Sequence, residues 1–193
     1  MRYPAEHKQQ TRERIVRAAA KRFRKQGGEG PGIAALMRDL RLTHGGFYRH
    51  FAGKEELFLE AFELALQEPN QRIASAIERA PPEEKLAAFI EGYLDSEHCN
   101  DIADGCPVAA LASELVRHPR GTRAALERAV RGRIQRLAKL VPGTTEEDRE
   151  SQANVLFSGI AGTLTLARLM TDDERRRRFL RQASQFYLAA VRG

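Results

Sequence analysis

The sequence predicts an all-α protein, and three observations support this fold class. Apolar residues recur at intervals of three and four along successive segments, as at Ile15, Ala19 and Phe23. The segments are separated by proline, glycine or helix-capping residues. The sequence has no stretch with the sustained alternation of apolar and polar residues that is typical of a β-strand.

The first four predicted helices form an N-terminal unit and a connection. The first helix has a strongly basic outer face and ends at Gly27 and Gly28. A short turn separates the second helix from the third, which begins after Thr43 because a threonine hydroxyl accepts hydrogen bonds from the free N–H groups of a helix start. Pro69 lies inside the fourth helix and should kink or break it.

The remaining helices have clear start and stop signals. Two prolines and two acids start the fifth, Pro107 opens the sixth, and Pro142 follows the seventh. Thr144 and Thr171 each have a glutamate three residues later, which is the spacing of a capping box. In total we expect about nine helices. They are predicted over residues 8–26, 32–40, 44–51, 54–79, 84–97, 106–117, 120–141, 144–170 and 171–191, with a polar loop at 98–105.

The composition is that of a globular protein with an uneven charge distribution. Of 193 residues, 42% are hydrophobic and 30% are charged. Residues 1–58 contain 13 Lys and Arg against 6 Asp and Glu, whereas residues 59–193 contain 19 against 20, so the N-terminal part holds the whole excess of positive charge. A basic surface suits a nucleic-acid partner, and a merely solvated basic surface is the alternative.

Several classes of protein are not predicted. No apolar run reaches the roughly 20 residues that a membrane-spanning helix needs, and the chain does not start with a signal segment, so we expect a cytoplasmic protein without a membrane partner. The strong local motifs of metal sites and of enzymes are absent from the sequence. We therefore predict no cofactor, no metal site and no catalytic residues.

Residues 32–57 have the pattern of a helix-turn-helix. Two short helices are joined by a tight turn, and the second helix has hydroxyl, imidazole and guanidinium groups that suit phosphate oxygens. The string LTHGGFYRHF, followed by KEEL, strongly resembles the DNA-binding region of TetR-family transcriptional regulators. That family has a three-helix DNA-binding domain and a larger helical domain for effector binding and dimerisation.

The resemblance also implies roles for individual residues. It implies that Thr43, Tyr48, His50 and Lys54 contact DNA phosphates and that His44, Gly45 and Gly46 lie nearest the base edges. Phe47 would mainly anchor the recognition helix to the rest of the domain.

Two residues depart from the family pattern. Gly32 stands where the family usually has Ser or Thr, so the second helix lacks a side-chain cap. Arg41 stands where the family usually has Gly, and a positive φ at a non-glycine residue costs on the order of 1 kcal/mol.

The last two predicted helices are candidates for a homodimer interface. Small residues lie along the eighth helix, and they allow helix backbones to approach closely. Internal packing is the alternative, but TetR-like proteins use their last two helices as a four-helix dimer interface. The candidate dimerisation residues are Gly159, Gly162, Phe179, Ala183 and Phe186.

Cys106 is the candidate sensor residue. It directly precedes Pro107 at a predicted helix start, where the helix dipole favours a thiolate. The segment DGCPVAAL resembles one in TetR-like regulators, some of which sense electrophiles or oxidants through a cysteine in this region. We therefore treat Cys106 as a candidate redox sensor with Cys99 as its resolving partner; the alternative is a small residue packed beneath a loop.

A small-molecule effector site is expected among the fifth to eighth helices. Mostly apolar walls with a few polar groups are typical of such sites, although a filled core has the same sequence pattern. We name Tyr93, Cys106 and Glu114 as candidate effector-binding residues. The expected walls are Phe89, Tyr93, Ala110, Leu111, Glu114 and Leu164.

Together these patterns predict a ligand-responsive, dimeric regulator that binds a double-stranded DNA operator and acts as a repressor. The predicted divisions are residues 1–53 for DNA binding, 54–80 as a connecting helix, and 81–193 for effector binding and dimerisation. The alternatives are a helical small-molecule-binding protein or enzyme without specific DNA binding, and a non-specific nucleoid-type protein. The nearly neutral C-terminal part argues against the last of these.

Overall fold

The computed structural model describes residues 5–28, 30, 32–68 and 70–191, and these residues form helices and connecting turns without a β-strand. The prediction of an all-α protein is confirmed. Within the described residues there are eleven α-helices and one 3-10 helix, rather than about nine helices. The α-helices are α1 (Ala5–Gln26), α2 (Ile33–Asp39), α3 (His44–Phe47), α4 (Lys54–Gln67), α5 (Gln71–Arg79), α6 (Lys85–Tyr93), α7 (Ser96–Asn100), α8 (Pro107–Leu115), α9 (Arg120–Ala138), α10 (Glu146–Arg168) and α11 (Asp173–Ala190), with the 3-10 helix at Pro82–Glu84.

The N-terminal core joins α1 to α4. It contains aromatic contacts: the rings of Phe23 and Phe58 meet edge to face with centroids 5.1 Å apart. Arg12 of α1 lies over the ring of Phe51 at 4.2 Å and pairs with Glu56 at 2.8 Å. These contacts fix the segment that follows α3 against α1 and α4, so α3 has a rigid base.

Two predicted helices are shorter or divided. The third was predicted over 44–51 but is α-helical only to Phe47, after which the chain continues in turns that still close through the bond from Phe51 N to Phe47 O at 3.1 Å. The predicted helix over 54–79 is two helices, α4 and α5. Pro69 itself lies outside the described residues; Asn70 caps α5 by accepting a hydrogen bond from Arg72 N at 3.1 Å.

The predicted loop at 98–105 is partly helical. The fifth helix was predicted to run to residue 97, but α6 ends at Tyr93 and a new helix, α7, begins at Ser96. The cause is Asp95, whose carboxylate accepts from Glu97 N at 2.8 Å and caps the new helix. The chain therefore makes an extra turn immediately before Cys106.

Two helix starts differ from prediction by one residue. The cap of α10 is Thr145, which accepts from Asp148 N at 3.1 Å, rather than Thr144. The cap of α11 is Asp172, which accepts from Arg175 N at 2.9 Å, rather than Thr171. In both cases two capping residues are adjacent in sequence, and the second of them forms the cap.

The C-terminal core is formed by α5 to α11, with Ala109 as the contribution of α8, and it is joined to the N-terminal core. Leu111 of α8 and Leu126 of α9 are buried in the N-terminal core. Arg136 of α9 also donates a hydrogen bond to the carbonyl of Leu66 at 2.9 Å. Helices α8 and α9 thus connect the two parts of the molecule.

In the described part of the chain, no helix is both long enough and apolar enough to cross a bilayer.

Candidate nucleic-acid interface and ligand site

Helix α3 has a capped start and an anchored face. Thr43 has an extended backbone, and its hydroxyl accepts a hydrogen bond from Gly46 N at 3.2 Å, as predicted for an N-cap. Phe47 is fully buried and stacks on Phe51 with ring centroids 5.2 Å apart. This pair holds α3 on the N-terminal core and leaves its opposite face uncovered by the rest of the chain.

The opposite face of α3 is polar and open. His44, Gly45 and Tyr48 are exposed, and Tyr48 retains 59% of its surface. The rings of His44 and Tyr48 meet edge to face at 5.7 Å. A Cβ at Gly45 would find no atom within 4 Å, whereas one at Gly46 would lie 3.2 Å from the Thr43 hydroxyl. Packing within the protein therefore explains Gly46 but not Gly45.

Two other predicted contact residues, His50 and Lys54, are half-buried. The Nδ1 atom of His50 is buried without a hydrogen-bond partner. Burial and the nearby positive charges of Lys8, Arg12 and Arg49 lower the pKa of His50, so it is suited to contact a partner as a neutral imidazole. Lys54 is the first residue of α4.

The turn between α2 and α3 contains a non-glycine residue in the left-handed region. Arg41 has φ of 58°, and its N–H donates to the carbonyl of Arg38 at 2.9 Å. The next residue, Leu42, donates to Met37 O at 2.8 Å, which closes the end of α2. The expected positive φ is therefore present. At the other end of α2, Gly32 provides no side-chain cap.

Glu114 contacts the N-terminal part of the chain rather than a ligand cavity. Its carboxylate accepts a hydrogen bond from Gly28 N, immediately after the end of α1. At the other end of α8, Asp104 pairs with Lys21 of α1 at 2.9 Å, and Arg24 of α1 donates to the carbonyl of Ala103. The segment before α8 is thus tied to α1, and the last turn of α8 is tied to the residues that immediately follow α1. Sequence reasoning missed this connection, because its partners are distant in the chain.

Tyr93 and Cys106 do come together. Both line a cavity of about 30 Å³ beside Arg133 of α9, and both are buried. The other expected walls are divided between the two cores: Phe89 and Leu164 belong to the C-terminal core, and Leu111 belongs to the N-terminal core. Sequence reasoning did not identify Arg133.

Both cysteines are free thiols and both are buried. Cys106 is the N-cap residue of α8, as predicted, although its side chain makes no capping hydrogen bond. Burial raises the pKa of the Cys99 thiol, so Cys99 resists ionisation.

The candidate dimerisation residues have different surroundings. Phe186 retains 67% of its surface, and a Cβ at Gly162 would find no atom within 4 Å, so both face open space. Phe179 and Ala183 are partly buried against the C-terminal core. Gly159 allows the Tyr187 side chain to approach within the same chain, since a Cβ there would lie 2.5 Å from the Tyr187 hydroxyl.

Further exposed apolar residues lie along α10. Val155, Leu166 and Leu169 retain 73%, 55% and 73% of their surface. With Gly162 they recur at helical spacing and form one stripe, which we call the α10 stripe.

Comparison with known protein families identifies both parts of the chain. Residues 15–61 match the family described as bacterial regulatory proteins, tetR family. Residues 82–183 match the family described as tetracyclin repressor-like, C-terminal domain.

Individual relatives agree with this assignment. The HTH-type transcriptional regulator LmrA of Bacillus subtilis (strain 168) is 33% identical over 106 residues, covering 54% of this chain and 56% of LmrA. The uncharacterised regulator YfiR of the same organism is 29% identical over 101 residues, covering 51% of this chain and 47% of YfiR. The chain thus spans about half the length of the curated relatives it matches.

Solved structures extend the likeness in fold over nearly the whole chain. A TetR transcriptional regulator from Chloroflexus aurantiacus J-10-FL is 24% identical with a TM-score of 0.72, covering 95% of this chain and 96% of that chain. A TetR-family regulator from Agrobacterium tumefaciens is 19% identical with a TM-score of 0.73, covering 95% and 98%. With family matches to both its N-terminal and C-terminal parts, the chain belongs to the TetR family of bacterial regulatory proteins.

Proposed function

We propose that this protein is a ligand-responsive DNA-binding transcriptional regulator that acts as a repressor. The observation that carries the proposal is the anchored but open α3: two buried phenylalanines hold it, and its polar face has an exposed Gly45 that internal packing does not explain. A helix of this kind can enter the major groove of DNA. The proposed function would place the protein in the cytoplasm.

The proposed contacts are of two kinds: contacts to phosphates, which position the protein on DNA, and contacts to base edges, which read the sequence. Phosphates would be contacted by the hydroxyls of Thr43 and Tyr48 and by Lys54 in the first turn of α4. The neutral imidazole of His50 would donate a further hydrogen bond to a phosphate. His44, Gly45 and Gly46 approach the base edges. The hydroxyl of Thr43 already accepts from Gly46 N, so its O–H hydrogen is available to donate to a phosphate.

We also propose a homodimer through α10 and α11. The α10 stripe and Phe186 together present large apolar side chains that remain exposed in the single chain. Pairing these helices with those of a second copy would bury them and present two α3 helices to two half-sites of an operator.

The regulatory signal would travel through α8. A small molecule bound beside Cys106, or modification of its thiol, would act at the start of α8. Arg24 of α1 bonds to Ala103 just before this helix, and Glu114 in its last turn bonds to Gly28 just after α1. Displacement of α8 would move α1 and change the spacing of the two α3 helices. Of the two cysteines, Cys106 suits modification better, because 8% of its surface is exposed against 1% for Cys99.

The proposal is tested by fluorescence anisotropy on DNA from upstream of the protein's own gene, with a shuffled fragment as competitor. Replacing Lys54 by Ala should weaken binding to both fragments and reduce the slope of log affinity against log salt by about 0.9 for each phosphate that the lysine no longer neutralises. Tyr48→Phe should weaken binding with a smaller change in slope, because it removes a hydroxyl but no charge.

Lys139→Ala is the matched control, because Lys139 is an exposed lysine at the end of α9 in the C-terminal part. It should bind like the parent protein. Unchanged affinity in both Lys54→Ala and Tyr48→Phe would refute the proposed contacts, and a parent protein that binds the two fragments equally would refute an operator at that location.

A further inference from the structure

The cavity beside Cys106 has an unusual combination of polar groups. It lies between α4, α5, α6, α8 and α9, and its walls include Tyr93, Cys106 and Arg133 together with the apolar side chains of Leu66 and Ile73. Its volume of about 30 Å³ exceeds the roughly 10–15 Å³ that one water requires. A group of a few heavy atoms, such as a carboxylate, therefore fits.

Arg133 contributes a positive charge that lacks a counterion. Among the described residues, no carboxylate forms an ion pair with Arg133, and its guanidinium lies 5.6 Å from the centre of the Phe89 ring. Burial lowers the pKa of Arg133, because a charge that is removed from water without a counterion is destabilised. An anion in the cavity would relieve this cost.

The acidic residues at the cavity are engaged elsewhere. Asp104 and Glu68 both line it, but Asp104 pairs with Lys21 and with Arg24 of α1, and Glu68 pairs with Arg17. They do not neutralise Arg133, so the cavity keeps its unpaired cation.

Tyr93 adds an unused hydrogen-bond donor. Its side chain is 2% exposed, and its hydroxyl has no hydrogen-bond partner of good geometry among the described residues, although it lies close enough to the Cys106 thiol for the two groups to interact. Burial, followed by the neighbouring Cys106, raises the pKa of Tyr93 well above its ordinary value. The hydroxyl therefore stays protonated and can donate. A buried donor without an acceptor is costly, and an anionic oxygen would satisfy it.

The start of α8 favours an anion for a third reason. Cys106 is the N-cap residue and makes no side-chain capping bond, so the positive end of the helix dipole lies beside the cavity. Three independent features, namely the guanidinium, the phenol and the helix start, thus favour the same kind of group.

A larger cleft adjoins the cavity. It has a volume of about 650 Å³, lies between α1 and the segment at 101–104, and shares Ala65, Glu68, Asn70 and Asp104 with the small cavity. A molecule with its charged group beside Arg133 has room for an organic body in this cleft. Such a body would lie against the Asp104 contacts that tie α8 to α1.

We propose that the effector is an organic acid whose carboxylate binds Arg133 and the Tyr93 hydroxyl in the cavity at the start of α8. This inference rests on the proposed function as a ligand-responsive regulator and names the chemical class of its effector. A neutral ligand would leave Arg133 unpaired, and a cationic ligand would be repelled by it.

The experiment uses the full chain without DNA and measures its Tm in titrations with benzoate and octanoate. Benzamide and octanamide are the neutral twins, and inorganic phosphate is a further probe. We expect at least one carboxylate to raise Tm, with its amide having little effect. Arg133→Gln should weaken binding of that carboxylate by about tenfold or more, and Tyr93→Phe should weaken it less.

Arg131→Gln is the matched control, because Arg131 lies on the same helix but is exposed and pairs with Glu127 at 2.9 Å. It should bind the carboxylate like the parent protein. Equal stabilisation by acid and amide, no stabilisation by either acid, or full retention of binding in both Arg133→Gln and Tyr93→Phe would overturn the proposal. Stabilisation by phosphate but by neither carboxylate would assign the site to a free inorganic anion and overturn the organic acid.

The readout separates this proposal from the proposed function. Tm in the absence of DNA does not depend on operator binding, whereas operator binding is measured separately by anisotropy. A protein that binds its operator but no carboxylate contradicts only the effector class.

Discussion

Replacing Arg41 by glycine should stabilise the protein. Arg41 holds φ of 58° at the turn between α2 and α3, in the left-handed region that side chains with a Cβ rarely adopt. Of the described residues, none forms an ion pair or a side-chain hydrogen bond with the exposed Arg41 guanidinium. Glycine would therefore relieve backbone strain without removing a contact of the folded protein.

The expected gain is the difference between two effects. The left-handed conformation costs roughly 1–2 kcal/mol for a residue with a Cβ. Glycine also gives the unfolded chain more freedom, which favours unfolding by about 0.4–1 kcal/mol. The net stabilisation should be about 0.5–1 kcal/mol, which for a chain of this size raises Tm by about 1–4 °C.

Urea denaturation at fixed protein concentration measures this difference, because the stability of the proposed dimer would depend on concentration. Arg41→Ala is the control, since alanine removes the charge and retains the strain, and it should match the parent protein within about 0.5 kcal/mol. A glycine variant no more stable than the alanine variant would refute the strain at residue 41.

Three further predictions concern stability and assembly. Gly159→Ala should destabilise the fold by about 1–3 kcal/mol, because its Cβ would lie 2.5 Å from the Tyr187 hydroxyl. Gly162→Ala should be neutral or stabilising in the protomer, because a Cβ there meets no atom within 4 Å. Urea titrations measure both free energies of unfolding, and equal changes would contradict the close packing of Tyr187 on Gly159. Burial lowers the pKa of His98, so its contribution to stability should be complete above the ordinary pKa of about 6.5 and decrease as the pH falls towards the lower folded value. His98→Asn should reduce this decrease of Tm in acid, and an unchanged pH profile would exclude His98 as its source. Phe186→Glu should dissociate the proposed dimer with helix content retained, and a dimeric mass by light scattering would refute a role for Phe186.

The sequence predicted the fold class and the DNA-binding segment because their signals are local. The helix periodicity, the Thr43 cap and the Phe47–Phe51 pair depend on residues within one or two turns of each other. The division at Asp95 was missed because the apolar pattern of the helix continues past this capping residue. The caps of α10 and α11 were missed by one residue, because adjacent polar residues compete for the same capping role. Sequence patterns do not determine which of two such caps forms.

The cavity beside Cys106 and the connection to α1 could not be predicted in the same way. Tyr93, Cys106 and Arg133 come from three different parts of the chain, and only the fold brings them together. Glu114 was expected beside a ligand because it lies on α8, but its helix turns it towards Gly28. Contacts between residues distant in sequence, and unpaired charges such as Arg133, become visible only once the helices are packed.

The most direct test of the account is the affinity of Gly45→Ala for DNA. A Cβ at this position meets no atom of the protein within 4 Å, so the variant should fold with unchanged or slightly increased stability. Gly121→Ala on α9 is the matched control, because a Cβ there also meets nothing within 4 Å. In anisotropy titrations against upstream DNA and a shuffled fragment, the account predicts that Gly45→Ala loses selective binding and Gly121→Ala retains it. Selective binding by Gly45→Ala equal to that of the parent protein would contradict a recognition role for α3.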